Sequence, residues 1–212
     1  MIEILEQSPQ LVLCVKPVGV RAQGEAEADL PALLKRQLGC EIYPVHRLDQ
    51  AVGGVMVFAK TAPAAAKLSQ AMAEGTLQKE YLAVLERSPE QTEGELSDLL
   101  FHDRTKNKTY VVSRQRKGVK EAKLAYRVLD VQNGLCLVRI RLYTGRTHQI
   151  RVQFASRGCP LAGDGKYGGK GSAPLLWSYR LAFPDPRDGT MRIFERRPEG
   201  PAWEALFAEE QQ

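Results

Sequence analysis

"YPVHRLDQAVGGVMVFAKT", residues Tyr43 to Thr61, carries both an architectural and a chemical signal within nineteen residues. Its second half, "GGVMVFAK", is apolar at consecutive positions and not at every second one. That pattern predicts a strand covered on both faces and placed centrally in a sheet. Its first half sets His46, Arg47 and Asp49 just before the glycine pair Gly53-Gly54. A loop residue at the mouth of a buried strand is held by the sheet beneath it, and the neighbouring Arg47 favours the ionised form of Asp49. Locally, two readings stay open: a structural ion pair with a turn-forming aspartate, or an active site.

Outward from this stretch the chain reads as strands with interspersed helices. Upstream, "LVLCVKPVGV" predicts a short buried strand over Leu11 to Val15, ended by Pro17 and turned at Gly19. "DLPALLKRQLG" predicts a helix capped by Asp29, with Gly39 just past its end. Downstream, Thr61 caps a helix that tolerates Pro63 in its first turn and stops at Gly75. "QKEYLAVLE", "KTYVVS", "KLAYRVLDVQ" and "LCLVRIRLYT" predict strands, the last two joined by an Asn133-Gly134 hairpin turn. "TGRTHQIRVQFASRG" predicts a helix closed by Gly158. A strand pair follows, turning at Asp188-Gly189, and "PAWEALFAEEQQ" predicts a last helix. There is no repeat and no linker, so the expectation is one α+β domain over residues 1–212, built on a mixed, mostly antiparallel sheet.

Composition narrows the classes. With 43% hydrophobic and 26% charged residues the chain is an ordinary globular one. No apolar run is long enough to span a bilayer, and "MIEILEQSPQ" lacks a signal-peptide layout, so the expected location is cytoplasmic, without membrane association. Four dispersed cysteines without a CxxC pair argue against a zinc site or a disulfide framework, and Cys14 and Cys136 are expected as buried thiols. A net charge of +5, with basic residues concentrated between Asp103 and Lys123, favours a polyanionic partner. No nucleotide-binding motif stands in a strand-then-helix context. The Gly-rich run "GDGKYGGKG" is discounted as one for that reason.

Two further stretches hold chemically able side chains. In "YTGRTHQIRVQF" a helix would put His148 and Arg151 on one side and Ile150 and Phe154 on a core side, although, taken alone, a solvated helix face explains the polar pair better. In "KEYLAV", Tyr81 rides on a strand beside Lys79 and Glu80, as many packing tyrosines do.

Taken together, "HRLD" before a Gly-containing apolar strand and "FAKT", then "KEYLAV", then "TGRTHQIRVQFASRGCPLAGDGKYGG" resemble the RluA-type family of pseudouridine synthases, in the family's order, over about Leu11 to Phe194. The resemblance implies a pseudouridine synthase catalytic domain acting on rRNA or tRNA, without a cofactor or metal and not on DNA; a monomer is expected because no strand or helix is unusually apolar on its outward face. It implies Asp49 as the catalytic residue and Arg47 as the arginine that displaces the target uridine. Tyr81 is implied as the residue stacking on the flipped base, and Arg151 as the cation paired with Asp49. Arg146 and His148 fall in the same motif, with a role in RNA contact or site architecture. Where the family often reads HRLD-x-x-T-S-G, this chain has Val52-Gly53, which removes two hydroxyls from the loop. No N-terminal S4 domain is expected ahead of "LVLCVKP".

One aspartate suits such chemistry. Breaking the N1–C1′ bond of uridine releases a uracil anion that stays in place, so the second carboxylate a glycosidase needs for its water and alkoxide is not required. Whether Asp49 attacks C1′ or removes a sugar proton is open at this level. Two other classes fit parts of the sequence: an RNA-binding module without catalysis, and a metal-dependent hydrolase built from His46, Asp49 and His148.

Overall fold

The computed structural model describes residues 1–24 and 27–207. In chain order its elements are β1 (Glu3–Gln7), β2 (Leu11–Lys16), α1 (Leu30–Leu38), β3 (Tyr43–Pro44), β4 (Gly53–Ala59) and α2 (Ala62–Ala73). There follow β5 (Gln78–Leu85), β6 (Glu93–Asp103), β7 (Lys108–Val112), β8 (Val119–Gln132), β9 (Leu135–Leu142) and α3 (Gln149–Ala155). A short 3-10 turn at Gly165–Tyr167 leads to β10 (Leu176–Pro184), β11 (Met191–Glu195) and α4 (Pro201–Phe207). The expected last helix therefore begins where the sequence places it, and residues 208–212 lie outside the described residues. The chain forms two compact units: Met1–Lys79 with Trp177–Arg197, and Glu80–Leu176 with Pro198–Gln212.

In the first unit β4 is the organising strand. All seven of its residues are buried, as its unbroken apolar run predicts. It pairs antiparallel with β2 from Leu11↔Ala59 to Lys16↔Gly54. Its other edge is shared between β3, opposite Phe58 and Ala59, and β10, which runs parallel opposite Gly53 and Gly54. β1 extends the sheet beyond β2, and β11 pairs with β10. Leu13, Val55, Val57, Leu68, Leu181 and Phe183 form the core between this sheet and α2. The helix ends follow their sequence signals. Asp29 accepts the Ala32 N–H at 2.9 Å and Gly39 ends α1 in the left-handed region, while the Thr61 hydroxyl caps α2 through Ala64.

The second unit is a sheet ordered β5-β9-β8-β6-β7, in which the pairs β9-β8, β8-β6 and β6-β7 are antiparallel. β8 and β9 meet at Asn133-Gly134, both with positive φ (51° and 79°), the backbone that a two-residue hairpin turn requires. Three strands escape the sequence reading, β1, β3 and β6. A larger correction concerns the helix expected from Thr144. It begins only at Gln149, because His148 has φ 54°, a left-handed conformation that cannot sit inside a right-handed helix. Residues 144–147 are instead tied to β8: the Thr144 hydroxyl accepts the Lys123 N–H, and the Gln149 side chain bonds Thr144, the Arg146 N–H and the Lys123 carbonyl. Nor is α3 half-solvated, since Gln149 through Phe154 are all buried.

Candidate active site

The backbone after Asp49 is locked by a lysine that the sequence reading passed over. Lys16 ends β2 with no solvent exposure at all, and its ammonium donates to the carbonyls of Pro17 (2.8 Å), Val20 (2.6 Å) and Gln50 (3.2 Å). A buried charge is tolerated only when its hydrogen bonds are satisfied. Here the satisfaction also joins two turns, those at residues 17–20 and 49–52. The Gln50 carbonyl takes a second bond from the Gly19 N–H at 2.8 Å, and the Gln50 side chain returns one to the Gly19 carbonyl. Burial pushes the Lys16 pKa down to about 8, opposed by the negative charge of Asp49. The Val52 N–H closes the turn onto the Asp49 carbonyl at 3.0 Å. Along this turn Arg47 is exposed, Leu48 is buried and Asp49 is half-buried, so one apolar side chain anchors the loop between two charged residues.

His46 serves the same loop from inside. Its Nε2 accepts the Val57 N–H of β4 at 3.3 Å, so the ring hydrogen sits on Nδ1, which has no hydrogen-bond partner. Burial, with a further contribution from Lys79, pushes its pKa down to about 3. With its lone pair committed to β4, His46 is a structural group and offers nothing to a metal. Among the described residues no three His, Cys, Asp or Glu side chains come together in a way that could hold a metal ion.

The glycine pair has a steric cause. A Cβ on Gly53 would lie 2.5 Å from the Trp177 ring, and one on Gly54 would lie 2.3 Å from the Ser178 carbonyl oxygen, because β10 runs directly against this end of β4. The Trp177 indole N–H donates to the Arg196 carbonyl at 2.7 Å and fixes the ring there. Thus the position where the family often carries serine is filled in this chain by an indole, and Gly53 makes room for it.

In the second unit, Arg151 projects from α3 into a bidentate pair with Asp164, Nε to Oδ2 and Nη2 to Oδ1, both at 2.7 Å. Both residues are buried, and the guanidinium also lies 5.0 Å from the centre of the Tyr167 ring. The Tyr167 hydroxyl accepts the Thr109 N–H and bonds His148 Nδ1, each at 2.8 Å. His148 and Arg151 therefore converge on Tyr167, from the Gly-rich run that had been set aside. The glycines of that run are needed for backbone packing: a Cβ on Gly163 would sit 2.1 Å from the Ala173 carbonyl oxygen, and one on Gly169 2.2 Å from that of Leu161. Arg146 is exposed and donates through Nε to the Glu121 carbonyl of β8. Tyr81 is buried in β5. Cys14 and Cys136 are buried free thiols, and burial pushes the Cys14 thiol up to about 12.

Lys16, Asp164 and Tyr167 are thus the site residues that sequence reasoning missed. For Lys16 the available signal was a charge at the end of an otherwise apolar strand. For Asp164 and Tyr167 it was two polar residues inside a run too rich in glycine to be a plain loop.

Comparison with known proteins gives the fold class first. The human structure titled RNA Pseudouridylate Synthase Domain Containing 1 superposes with a TM-score of 0.80 at 22% identity, covering 97% of this chain and 87% of that one. The α+β fold is thus that of pseudouridine synthase domains. A profile of RNA pseudouridylate synthases matches residues 10–156, and the chain belongs to this family. Among curated relatives, the Bacillus subtilis protein named uncharacterized RNA pseudouridine synthase YhcT is 34% identical over 178 residues, covering 79% of this chain. Ribosomal large subunit pseudouridine synthase C of Rickettsia bellii is 31% identical over 173 residues, covering 78% of it. The matches cover 58% and 56% of those proteins, so the chain spans a little over half the length of either.

Proposed function

We propose that this chain is an RNA pseudouridine synthase in which Asp49 is the catalytic residue. The supporting observation is a half-buried carboxylate, on a turn whose backbone is pinned from below by a buried ammonium, inside the segment that matches the family. Preorganisation of this kind is what a reaction relying on one side chain needs, since a displaced reacting group loses rate steeply.

The chemistry balances within the substrate. The uridine N1–C1′ bond breaks, the freed uracil turns over in place, C5 bonds to C1′, and the proton on C5 leaves to solvent while N1 regains one. Asp49 stabilises the electron-poor sugar, either by bonding to C1′ or by taking a sugar proton. Arg151 is the counter-cation that orients Asp49. Arg47, exposed beside Asp49, fills the space left by the flipped nucleotide, and Tyr81 takes the stacking role. Exposed Arg146 contacts RNA phosphate, whereas His148, bonded to Tyr167, belongs to the architecture of the site. The substrate is structured RNA; relatives named for the large ribosomal subunit make rRNA the first target to test, with tRNA second. The enzyme works as a cytoplasmic monomer without a cofactor.

The test uses total RNA from cells lacking this gene, labelled with [5-³H]uridine, because rejoining through C5 expels the label. Wild-type protein should release tritium and Asp49→Asn should not, while both retain RNA binding by filter retention. Full release by Asp49→Asn would remove Asp49 as catalyst. RNA binding without release by the wild type would favour the non-catalytic binding module instead.

A further inference from the structure

The carboxylate of Asp164 has no local reason to point where it does. Asp164 stands at the start of the 3-10 turn Gly165–Tyr167, yet its side chain makes no capping bond to that turn. Its backbone alone holds the loop together, the carbonyl accepting the N–H groups of Tyr167 (3.0 Å) and Gly169 (2.9 Å). The side chain, 1% exposed, is turned entirely onto Arg151. A buried ion pair is costly to desolvate and adds little net stability, so its retention calls for another cause.

Geometry supplies one. Asp164 grips the Nε–Nη2 side of the guanidinium through two bonds of 2.7 Å, and the Tyr167 ring lies against its plane. Two parallel bonds fix the plane and the in-plane angle of a rigid fork. The Nη1–Nη2 edge is thereby presented in one direction. Tyr167 is itself pinned by the Thr109 N–H and by His148 Nδ1, and Thr109 Oγ1 is anchored on the Thr147 carbonyl at 2.8 Å.

We propose that Asp164 and Tyr167 are positioning residues that set the orientation of the Arg151 guanidinium. This rests on the assignment of Arg151 as the counter-cation of Asp49. The Gly-rich run Gly163–Gly171 is accordingly a cradle for an arginine, with its glycines consumed by the tight folding that turns Asp164 and Tyr167 inward.

A double-mutant cycle in the tritium-release assay tests it. Asp164→Asn keeps the shape but replaces one acceptor by a donor facing the guanidinium. It should lower kcat about 10–100-fold, the scale of a misplaced catalytic group, while KM changes by less than about threefold. In an Arg151→Lys background, where no fork remains to be aimed, the same substitution should cost less than about threefold. Tyr167→Phe, which keeps the ring and loses the hydroxyl tie, enters the same cycle and serves alone should Asp164→Asn fail to fold. Equal losses in both backgrounds, or wild-type kcat in Asp164→Asn, would overturn the proposal while leaving the catalytic assignment intact. Tritium release by Asp49→Asn overturns both, because the carboxylate to be served would then be another.

Discussion

Restoring the residue that the family often carries after HRLD should damage this protein. In Gly53→Ser the new Cβ would meet the Trp177 ring at 2.5 and 2.9 Å and the Lys16 carbonyl at 3.1 Å. The carbonyl belongs to the paired strand β2 and cannot retreat, so the indole must. Overpacking of this kind costs about 1–3 kcal/mol. Displacing the ring also strains or breaks its 2.7 Å bond to the Arg196 carbonyl, adding about 0.5–1.5 kcal/mol. A total of about 1.5–4.5 kcal/mol corresponds, at about 2–4 °C per kcal/mol for a chain of this size, to a Tm lowered by about 3–18 °C. Urea and thermal unfolding followed by circular dichroism would measure it. Adding Trp177→Leu to Gly53→Ser should recover at least about 1 kcal/mol relative to the sum of the single changes, because the two side chains compete for one space. A Gly53→Ser protein within about 0.5 kcal/mol of wild type, the scale of an ordinary surface change, or strict additivity with Trp177→Leu, would refute the steric argument.

Three other outcomes are expected. Lys16→Met leaves the carbonyls of Pro17 and Val20 without their donor, so stability should fall by about 2–4 kcal/mol and tritium release should drop with it. In the wild type, deprotonation of Lys16 near pH 8 removes one of three donors, so activity should decline above that pH. Because its folded pKa lies below the unfolded 10.5, this titration makes the fold more stable as pH rises from about 8 to 10.5, so loss of activity without loss of stability is the signature to seek. His46 has the same sign at lower pH. Its folded pKa of about 3 lies below 6.5, so its contribution to stability is intact above pH 6.5 and is lost on acidification, by up to about 1.4 kcal/mol per pH unit toward pH 3. Urea titrations from pH 7 to 4 should show that slope reduced in His46→Leu.

Much of this was legible in the residues. The unbroken apolar run of β4, the caps at Asp29 and Thr61, and the Asn133-Gly134 turn are local signals, and each appears where the chain announces it. β6 was illegible because "GELSDLLFHD" places its buried residues Leu96 and Leu100 four apart, a helical spacing, and only its pairing with both β7 and β8 makes it a strand. The start of α3 was missed because nothing in "TGRTHQ" marks a histidine with positive φ; the conformation is imposed by the bonds of Gln149 and Tyr167 around it. The neighbours of Asp49 in sequence leave a structural ion pair as open as an active site, and only the distant "KEYLAV" and "TGRTHQIR" stretches single it out through the family resemblance. Lys16 and Asp164 could not be picked out, since each acts on a segment that only folding brings near: Gln50 lies 34 residues from Lys16, and Arg151 lies 13 from Asp164.

The first unit is discontinuous: the chain leaves it after Lys79 and returns at Trp177, with residues 80–176 in between. During synthesis at about 5–20 residues per second, the Asp49 turn is made about 6–25 seconds before the strand that backs it. Over that interval Gly53 and Gly54 face an unfilled sheet edge, and β4 carries the exposed pairing groups of a nascent intermediate. The parallel junction with β10 is thus a late step, and destabilising Trp177 or Ser178 should be felt in the folding yield of new chains before it is felt in the activity of finished ones.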